Sequence, residues 1–488
     1  MYRFYINNID NEYHFSELIR IFLNNDEFEV IPVNLNDDFI KKLNLRPDSY
    51  FVDSNEQNIS DRRDSLKRGL YKILSKITGK SYSWGTLTGV HPLKLAYKEK
   101  QKIDGDLPIK PEDRIKQLKL NLKNRYLLED IKADILIDIL NYQNDFVKGA
   151  GEELPYNDGK LVSLYIGIPF CPTRCYYCSF ASEVTDYSII KSYLNLLIEE
   201  IKFTGEIAIK NGYRIESLYF GGGTPTILDN IDLELLINTT INAFKINPEK
   251  TEITIEAGRP DTITADKLIT INKFNINRIS INPQSLNQKT LDIIGRKHSV
   301  EDIYNSFYEA RLNNISIINS DIIAGLKGEE VRDFKNSLDE IIKLGAENIT
   351  IHTLSVKRGS ELKEVSPYIF RDGEKKVYEM LRYSYDKLKN SGYKPYYIYK
   401  QKNQVGGLEN IGWCKENMHS IYNIRIIEEN QTIIALGAGG IGKKYYPNKS
   451  ETGFSIKRIA NPRNYKIYMD RFDEILEKKN LYFWYINY

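Results

Sequence analysis

Three of the chain's four cysteines fall within eight residues, in the run Cys171-Pro-Thr-Arg-Cys175-Tyr-Tyr-Cys178, and the fourth, Cys414, lies far away. A disulfide framework needs an even, dispersed set in an oxidising compartment, and a structural zinc site takes four ligands, usually as two separated pairs. A CxxxCxxC triplet instead offers three thiolates from one loop. Bound to three irons of a [4Fe–4S] cube, they leave the fourth iron open to a small molecule. The competing reading, three cysteines that merely pack, sits badly with a chain otherwise so poor in cysteine.

Such a loop needs a rigid support. The run Leu161-Val-Ser-Leu-Tyr165-Ile-Gly-Ile168, rich in β-formers and ended by Pro169, predicts a strand from whose end the loop departs. The same grammar then repeats. Helical periodicity covers Tyr187–Lys210, a strand at 216–220 runs into Gly221-Gly222-Gly223-Thr224-Pro225, and a helix near 231–244 precedes a strand at Glu252–Glu256. Further strands are predicted at 278–281, 316–323 and Asn348–Thr353, with helical segments between them. Six strand–helix alternations predict an α/β fold with a parallel sheet and right-handed crossovers. In an α/β barrel the carboxyl ends of the strands form the functional face. The cysteine loop, the glycine turn, Glu256, Gln284 and Asp321 are all expected there.

At these residues the chain resembles the radical S-adenosylmethionine (SAM) enzymes, through the CxxxCxxC loop with Tyr177 before its last cysteine and the Gly-Gly-Gly-Thr-Pro turn. Within them, Ser163-Leu-Tyr165-Ile-Gly-Ile-Pro-Phe-Cys171 resembles the oxygen-independent coproporphyrinogen III oxidase group. Its HemZ branch is matched by Glu256-Ala-Gly-Arg-Pro-Asp-Thr-Ile-Thr264, Arg278-Ile-Ser-Ile-Asn-Pro-Gln284, Pro395-Tyr-Tyr-Ile-Tyr-Lys-Gln-Lys-Asn403 and Ala435-Leu-Gly-Ala-Gly439. The resemblance covers residues 80–470 and implies a partial (β/α)6 TIM-like barrel. It implies a [4Fe–4S] cluster on Cys171, Cys175 and Cys178, and SAM chelated through its methionine moiety. The backbone of Gly221, Gly222, Gly223 and Thr224 would meet the SAM amino group, since glycine has no Cβ to block approach. Glu256 would hold the ribose hydroxyls. Tyr165, Tyr177, Gln284, Arg296 and Asp321 would line the SAM region, Tyr165 and Arg296 nearest the chemistry.

The reaction implied is that of a coproporphyrinogen III dehydrogenase in haem biosynthesis. A radical from SAM abstracts hydrogen from a propionate β-carbon, and loss of CO₂ and an electron leaves a vinyl group. The implied partners are a tetrapyrrole and a reduced flavodoxin- or ferredoxin-type donor. A tetracarboxylate calls for cations, and Arg296, Lys357 and Arg358 are the candidates. The oxidases carry a further cysteine two residues after the third ligand, where this chain has Phe180, as in the branch that includes the haem chaperone HemW. A haem-binding chaperone is therefore the alternative. His419, in Asn417-Met-His-Ser-Ile-Tyr422, partly echoes that chaperone's His-Asn-x-x-Tyr-Trp motif without its Asn or Trp; it is expected to be structural, as are His298 and His352.

The rest of the chain sets bounds. Its 488 residues, at about 150 per domain, fit about three domains. They are read as an α+β accessory domain at 1–150, a radical SAM core at 151–370 and an α+β extension at 371–488, with Gly149-Ala-Gly-Glu-Glu-Leu-Pro155 as the linker into the core. Residues 112–142 read as helical and charge-rich. Hydrophobic residues at 41% and charged residues at 27% fit a globular chain, and the net charge of +2 gives no electrostatic ground for nucleic acid or an anionic membrane. With no apolar run of the roughly 18 residues a span needs and no signal peptide, a cytoplasmic protein is expected. The aromatic tail at 481–488 reads as a packed end, and Cys414 as a buried thiol. Gly437-Ala-Gly439-Gly440-Ile-Gly442 spells GxGxxG, but Lys443-Lys-Tyr-Tyr-Pro447 leaves no room for the helix a dinucleotide site needs.

Overall fold

The alternation of strands and helices from residue 161 onward organises the larger part of the computed structural model. That structure describes residues 1–9, 11–34, 47–105, 110–149, 159–178, 182–355, 373–402, 404–447 and 454–484. The chain divides into two compact units: Met1–Asn144 with Ile398–Glu409, and Asp145–Tyr397 with Asn410–Tyr488.

In the first unit, strands β1 (Tyr2–Asn7), β2 (Phe28–Val33) and β3 (Ser49–Val52) form a parallel sheet in the order β2-β1-β3. Its core gathers Phe4 and Ile6 of β1, Phe15, Leu18 and Phe22 of helix Tyr13–Phe22, and Leu66, Leu70 and Leu74 of helix Ile59–Thr78. The charge-rich stretch read as helical is two helices, Pro111–Tyr126 and Asp130–Gly149. Leu127, in the left-handed region at φ 57°, ends the first of them.

In the second unit, β4 (Leu161–Ile168), β5 (Arg214–Gly222), β6 (Glu252–Glu256), β7 (Arg278–Ser280), β8 (Ile317–Ala324) and β9 (Asn348–Thr353) pair in sequence order, all parallel. Helices Tyr187–Lys210, Asn230–Ala243, Ala265–Lys273, Val300–Leu312 and Val331–Lys343 lie between consecutive strands, and Glu374–Asn390 follows the last. The six-fold strand–helix repeat is therefore present. Strands β10 (Lys394–Lys400) and β11 (Glu409–Cys414) extend the sheet beyond β9, with β11 antiparallel to it. On the other edge β12 (Ile433–Leu436) runs parallel to β4, and β13 (Ile441–Pro447) and β14 (Phe454–Ala460) follow antiparallel. The GxGxxG run leads from β12 directly into β13, a strand where a dinucleotide fold has its helix.

Period-two alternation decides what the strands present to each other. In Glu252-Ile-Thr-Ile-Glu256 and Asn348-Ile-Thr-Ile-His352 each second residue is polar, and the isoleucines between them are buried. The polar members meet across strands. Ser217 donates to Ser163 Oγ at 2.7 Å, Tyr219 to Glu256 at 2.7 Å and Arg278 to Asn348, while along β8 itself Asn319 donates to Asp321 at 3.0 Å. The sheet thus keeps one polar face, and its apolar face packs on the helices.

Helix Ile421–Glu428 secures the amino ends of these strands. Ser420 Oγ and the backbone N–H groups of Ile421 and Tyr422 donate to the Glu252 carboxylate at 3.0, 2.8 and 3.0 Å. Arg425 forks onto Glu216 at 2.8 and 2.7 Å, a bidentate pairing, while burial raises the Glu216 carboxyl to about 7 against a hydrogen bond from Gln431. Arg278, first residue of β7, donates to the carbonyls of Met418 and His419. Among the described residues no helix is long and apolar enough to cross a membrane.

Candidate active site

The opposite, carboxyl ends of the strands hold the cysteine loop. It leaves β4 through Pro169 and is tied back by two backbone bonds, Cys171 N–H to Glu183 O at 3.1 Å and Glu183 N–H to Pro169 O at 2.9 Å. A tight turn follows, with Cys178 N–H donating to Cys175 O at 3.0 Å, and Tyr176 N–H reaches Ile294 O at 3.1 Å. The glycine turn at the end of β5 fits against the loop's root. Gly223 N–H donates to Ile168 O at 2.7 Å and Thr224 N–H to Phe170 O at 2.8 Å. A Cβ on Gly223 would stand 2.4 Å from Phe170 O, and Gly222 sits at φ 112°, so neither place accepts another residue without strain. Thr224 Oγ1 thereby comes to 3.4 Å from Cys171 Sγ. Burial pushes the Cys171 thiol upward, against hydrogen bonds from Thr224 and Ser182.

Two arginines brace the loop. Arg259, three residues past Glu256, points Nη1 at Cys175 Sγ (3.4 Å) and at Thr173 O, and Nη2 at Thr173 Oγ1 (2.5 Å). Arg296 is 6% exposed and donates to Gly258 O (3.1 Å), Asn282 O (2.6 Å) and Tyr177 Oη (3.3 Å). These bonds use its two Nη groups and tie it to Tyr177, while its Nε has no protein partner. Arg259 went unnoticed in the sequence, although it stands in the Glu256-Ala-Gly-Arg-Pro-Asp motif; its signal was a cation inside an otherwise small-residue loop.

Glu256, last residue of β6, accepts from Tyr219 Oη at 2.7 Å and from Gly222 N–H at 3.1 Å. Burial, with the nearby Asp321, raises its carboxyl to about 7, against the pull of the Tyr219 hydrogen bond. Tyr165 on β4 stacks on Tyr219 and Tyr422 with centroids 6.4 and 6.3 Å away, and Tyr219 and Tyr422 stack at 4.5 Å. Tyr219 and Tyr422 were not picked out in the sequence as site residues. Tyr219 was legible as the residue two before Gly221, facing the same way as Glu256; Tyr422 arrives from a distant helix.

Asp321 does not stand at a strand end. It lies inside β8, where burial is outweighed by His352, whose Nε2 is 3.6 Å away, and by Asn319, so that its carboxyl is held below the usual range. Gln284 lies four residues beyond β7 and bridges to β8, its N–H on Asp321 O and its own carbonyl accepting from Ile323 N–H. At φ 68° it is a non-glycine residue in the left-handed region, the kind of strain that concentrates at functional sites. Gln284 Oε1, Asn282 Oδ1 and Arg296 Nε are buried polar atoms without a protein partner. Phe180, Lys357, Arg358 and the linker at 150–155 fall outside the described residues. His419 lies at the amino ends of the strands, where burial lowers its pKa to about 4.

The donor set fits the expected group. Three thiols share one loop, Cys175 lies against the guanidinium groups of Arg259 and Arg296, and orphaned polar atoms and a backbone cradle stand beside them. Among the described residues no three His, Cys, Asp or Glu side chains converge on a single ion. A [4Fe–4S] cluster would take one thiolate per iron from Cys171, Cys175 and Cys178.

Residues 165–341 match the model of the radical SAM superfamily. The oxygen-independent coproporphyrinogen-III oxidase-like protein HemZ of Bacillus subtilis is 39% identical over 412 residues, covering 84% of this chain and 79% of that protein. Haem chaperone HemW of the same organism is 30% identical over 195 residues, 40% of this chain and about half, 51%, of its own length. Among solved structures, the coproporphyrinogen III oxidase HemN of Escherichia coli aligns with a TM-score of 0.51 at 20% identity, covering 68% of this chain and 73% of that one, which speaks for the fold. The chain belongs to the radical SAM superfamily, in the HemN-like group that contains HemZ. The cofactors of that superfamily are a [4Fe–4S] cluster and SAM.

Proposed function

We propose that the protein is an oxygen-independent coproporphyrinogen III dehydrogenase that converts two propionates to vinyl groups, giving protoporphyrinogen IX. The observation that carries the reading is the 39% identity to HemZ across most of both chains, joined to a braced cysteine loop and a cradle at the strand ends. When bound, the cluster and SAM supply a carbon radical able to abstract hydrogen.

The chain's own residues prepare that chemistry. Cys171, Cys175 and Cys178 hold the cluster, and Arg259 and Arg296 keep the loop's charge balanced and its shape fixed. Gly221, Gly222, Gly223 and Thr224 offer backbone groups to the methionine end of SAM. Ionised Glu256 accepts from the ribose hydroxyls, its orientation set by Tyr219. Gln284, Asp321 and Tyr177 line the rest of the cofactor's place, and the stacked Tyr165 forms an apolar wall that excludes water from the reacting carbon. Lys357 and Arg358, four and five positions past β9 in sequence, would meet the propionates. A reduced flavodoxin- or ferredoxin-type protein supplies the electron.

The test is mass spectrometry of an anaerobic reaction with reconstituted protein, reductant, SAM and coproporphyrinogen III. Stepwise loss of CO₂ matched by 5′-deoxyadenosine is the expected result. Cleavage of SAM with an intact tetrapyrrole would overturn the substrate, and stoichiometric haem binding by the same protein would then favour the chaperone reading that the HemW likeness supports.

A further inference from the structure

The glycine run after β12, which forms no dinucleotide site, has a different use. Gly437 stands at φ 82°, and a Cβ there would lie 2.4 Å from Gly167 O and 2.7 Å from Tyr193 Oη, so the turn packs directly on the end of β4. Tyr193, on helix Tyr187–Lys210, joins the two segments: its hydroxyl donates to Gly167 O at 2.7 Å and accepts from Ala438 N–H at 2.8 Å. Further along the same helix, Glu200 is fully buried. Its carboxylate accepts from Gly437 N–H and Tyr468 Oη, each at 2.8 Å, and from Asn461 Nδ2 at 2.9 Å, with the Lys479 ammonium 3.5 Å away. Tyr468 lies on helix Tyr465–Asp470 and Lys479 on helix Phe472–Trp484. The turn after β12, the residue after β14 and these two helices thus meet on one carboxylate. A buried charge satisfied in this way admits few other arrangements of its neighbours.

What the network grips is the exit of β4. Phe170, immediately before Cys171, is fully buried, with the rings of Tyr193 and Tyr465 set edge-on to it at 5.1 and 5.2 Å. Tyr468 in turn packs on Tyr193 at 5.2 Å. The same short exit serves both halves of the site. The carbonyls of Ile168 and Phe170 hold the N–H groups of Gly223 and Thr224, and the chain then passes straight into the cysteine loop. A shift of residues 167–170 therefore moves the glycine cradle relative to Cys171. Tyr193 and Tyr465 can govern that relation through the backbone, without touching a ligand themselves.

We infer that Tyr193 and Tyr465, locked by Glu200 and the two helices at 465–484, are positioning residues that set SAM against the cluster. The inference rests on the reading that Cys171, Cys175 and Cys178 hold the cluster and the glycine turn meets SAM. The test uses the anaerobically reconstituted full chain and compares Tyr193→Phe with Tyr393→Phe. The latter removes another buried hydroxyl, the donor to Ala346 O just before β9, at the opposite end of the strands. Both variants should keep the iron content of the wild type and lose some resistance to denaturant. Only Tyr193→Phe should bind SAM about fivefold more weakly in equilibrium dialysis and diminish the change that SAM makes in the EPR spectrum of the reduced cluster. Tyr465→Leu, which loses the ring against Phe170, should diminish that change too, and decides alone if Tyr193→Phe does not fold. A wild-type spectrum indifferent to SAM would overturn the cofactor reading and this inference with it. A wild-type response that Tyr193→Phe and Tyr465→Leu preserve, or that Tyr393→Phe diminishes as much, would overturn the inference alone.

Discussion

If Glu256 holds the ribose of SAM as proposed, its carboxyl ties the protein's acid–base state to SAM affinity. That carboxyl is raised to about 7 by burial, and the hydrogen bond from Tyr219 at 2.7 Å works against that rise by favouring the charged form. Only the ionised carboxylate can accept from two ribose hydroxyls, so SAM affinity is expected to increase with pH through about 7. Tyr219→Phe deletes a hydrogen bond to a charged group worth about 1.5 kcal/mol, which moves the carboxyl up by about one pH unit. At pH 7 the ionised fraction then falls from one half to about a tenth, a loss of about fivefold in SAM affinity. At pH 9 the two proteins should bind nearly alike. Equilibrium dialysis of SAM against anaerobically reconstituted protein, from pH 6 to 9, measures the shift. Glu256→Gln provides the control for SAM's own ionisation and should flatten the enzyme's contribution to the profile. An affinity ratio between wild type and Tyr219→Phe that is the same at pH 7 and pH 9 would refute the reasoning.

Arg259→Ala should leave the loop able to take up iron but lower the cluster's midpoint potential. Its hydrogen bond to Cys175 Sγ favours the more negative, reduced state, and about 1.4 kcal/mol corresponds to roughly 60 mV for one electron; EPR-monitored titration reads it. Gly223→Ala puts a methyl 2.4 Å from Phe170 O and should cut reductive SAM cleavage more than tenfold, assayed as 5′-deoxyadenosine, with full-length soluble protein still recovered. Glu329, held by Ser285 and with Oε2 otherwise unpartnered, is pushed by burial to about 8. The folded state holds that proton more tightly than the unfolded chain, whose carboxyl titrates near 4.5. The group's contribution to stability is therefore full below about 4.5 and is lost as the pH rises to about 8. Denaturant titration of Glu329→Gln should show a weaker decline over that window, and parallel curves would count against the assignment.

Much of this was legible from residue 161 onward because the signals were local. A β-former run ended by proline, glycines after a strand and alternating Ile with polar residues each fix geometry within a few positions, so six strands and the cysteine loop could be read directly. Asp321 was misplaced. It was grouped with the strand ends although the predicted strand at 316–323 already ran past it, as β8 does through Ala324. Glycine failed to end β5, which runs through Gly221 and Gly222 because those residues still pair with Gly167 and Ile168. The supports were harder to see. Arg259 acts across 84 positions on Cys175, and Tyr422 stacks on a ring 203 positions earlier, 422 − 219, so no window of sequence contains both partners.

That long-range partner also bears on the choice between enzyme and chaperone. The segment with the partial chaperone motif, Asn417 to Tyr422, spends its backbone on Glu252 and Arg278 at the amino ends of the strands. His419 is half-buried there, and desolvation disfavours its charged form. From this segment only Tyr422 enters the site, as the ring beneath Tyr219. Its placement is what orients the hydroxyl that holds Glu256. The motif's surviving tyrosine thus packs on the ring that holds Glu256, and the backbone beside its histidine ties the amino ends of the strands. Replacing His419 should therefore disturb stability before it disturbs any ligand. Replacing Tyr422 by Leu should loosen Tyr219 and reproduce, in weaker form, the pH-dependent loss of SAM affinity that Tyr219→Phe produces.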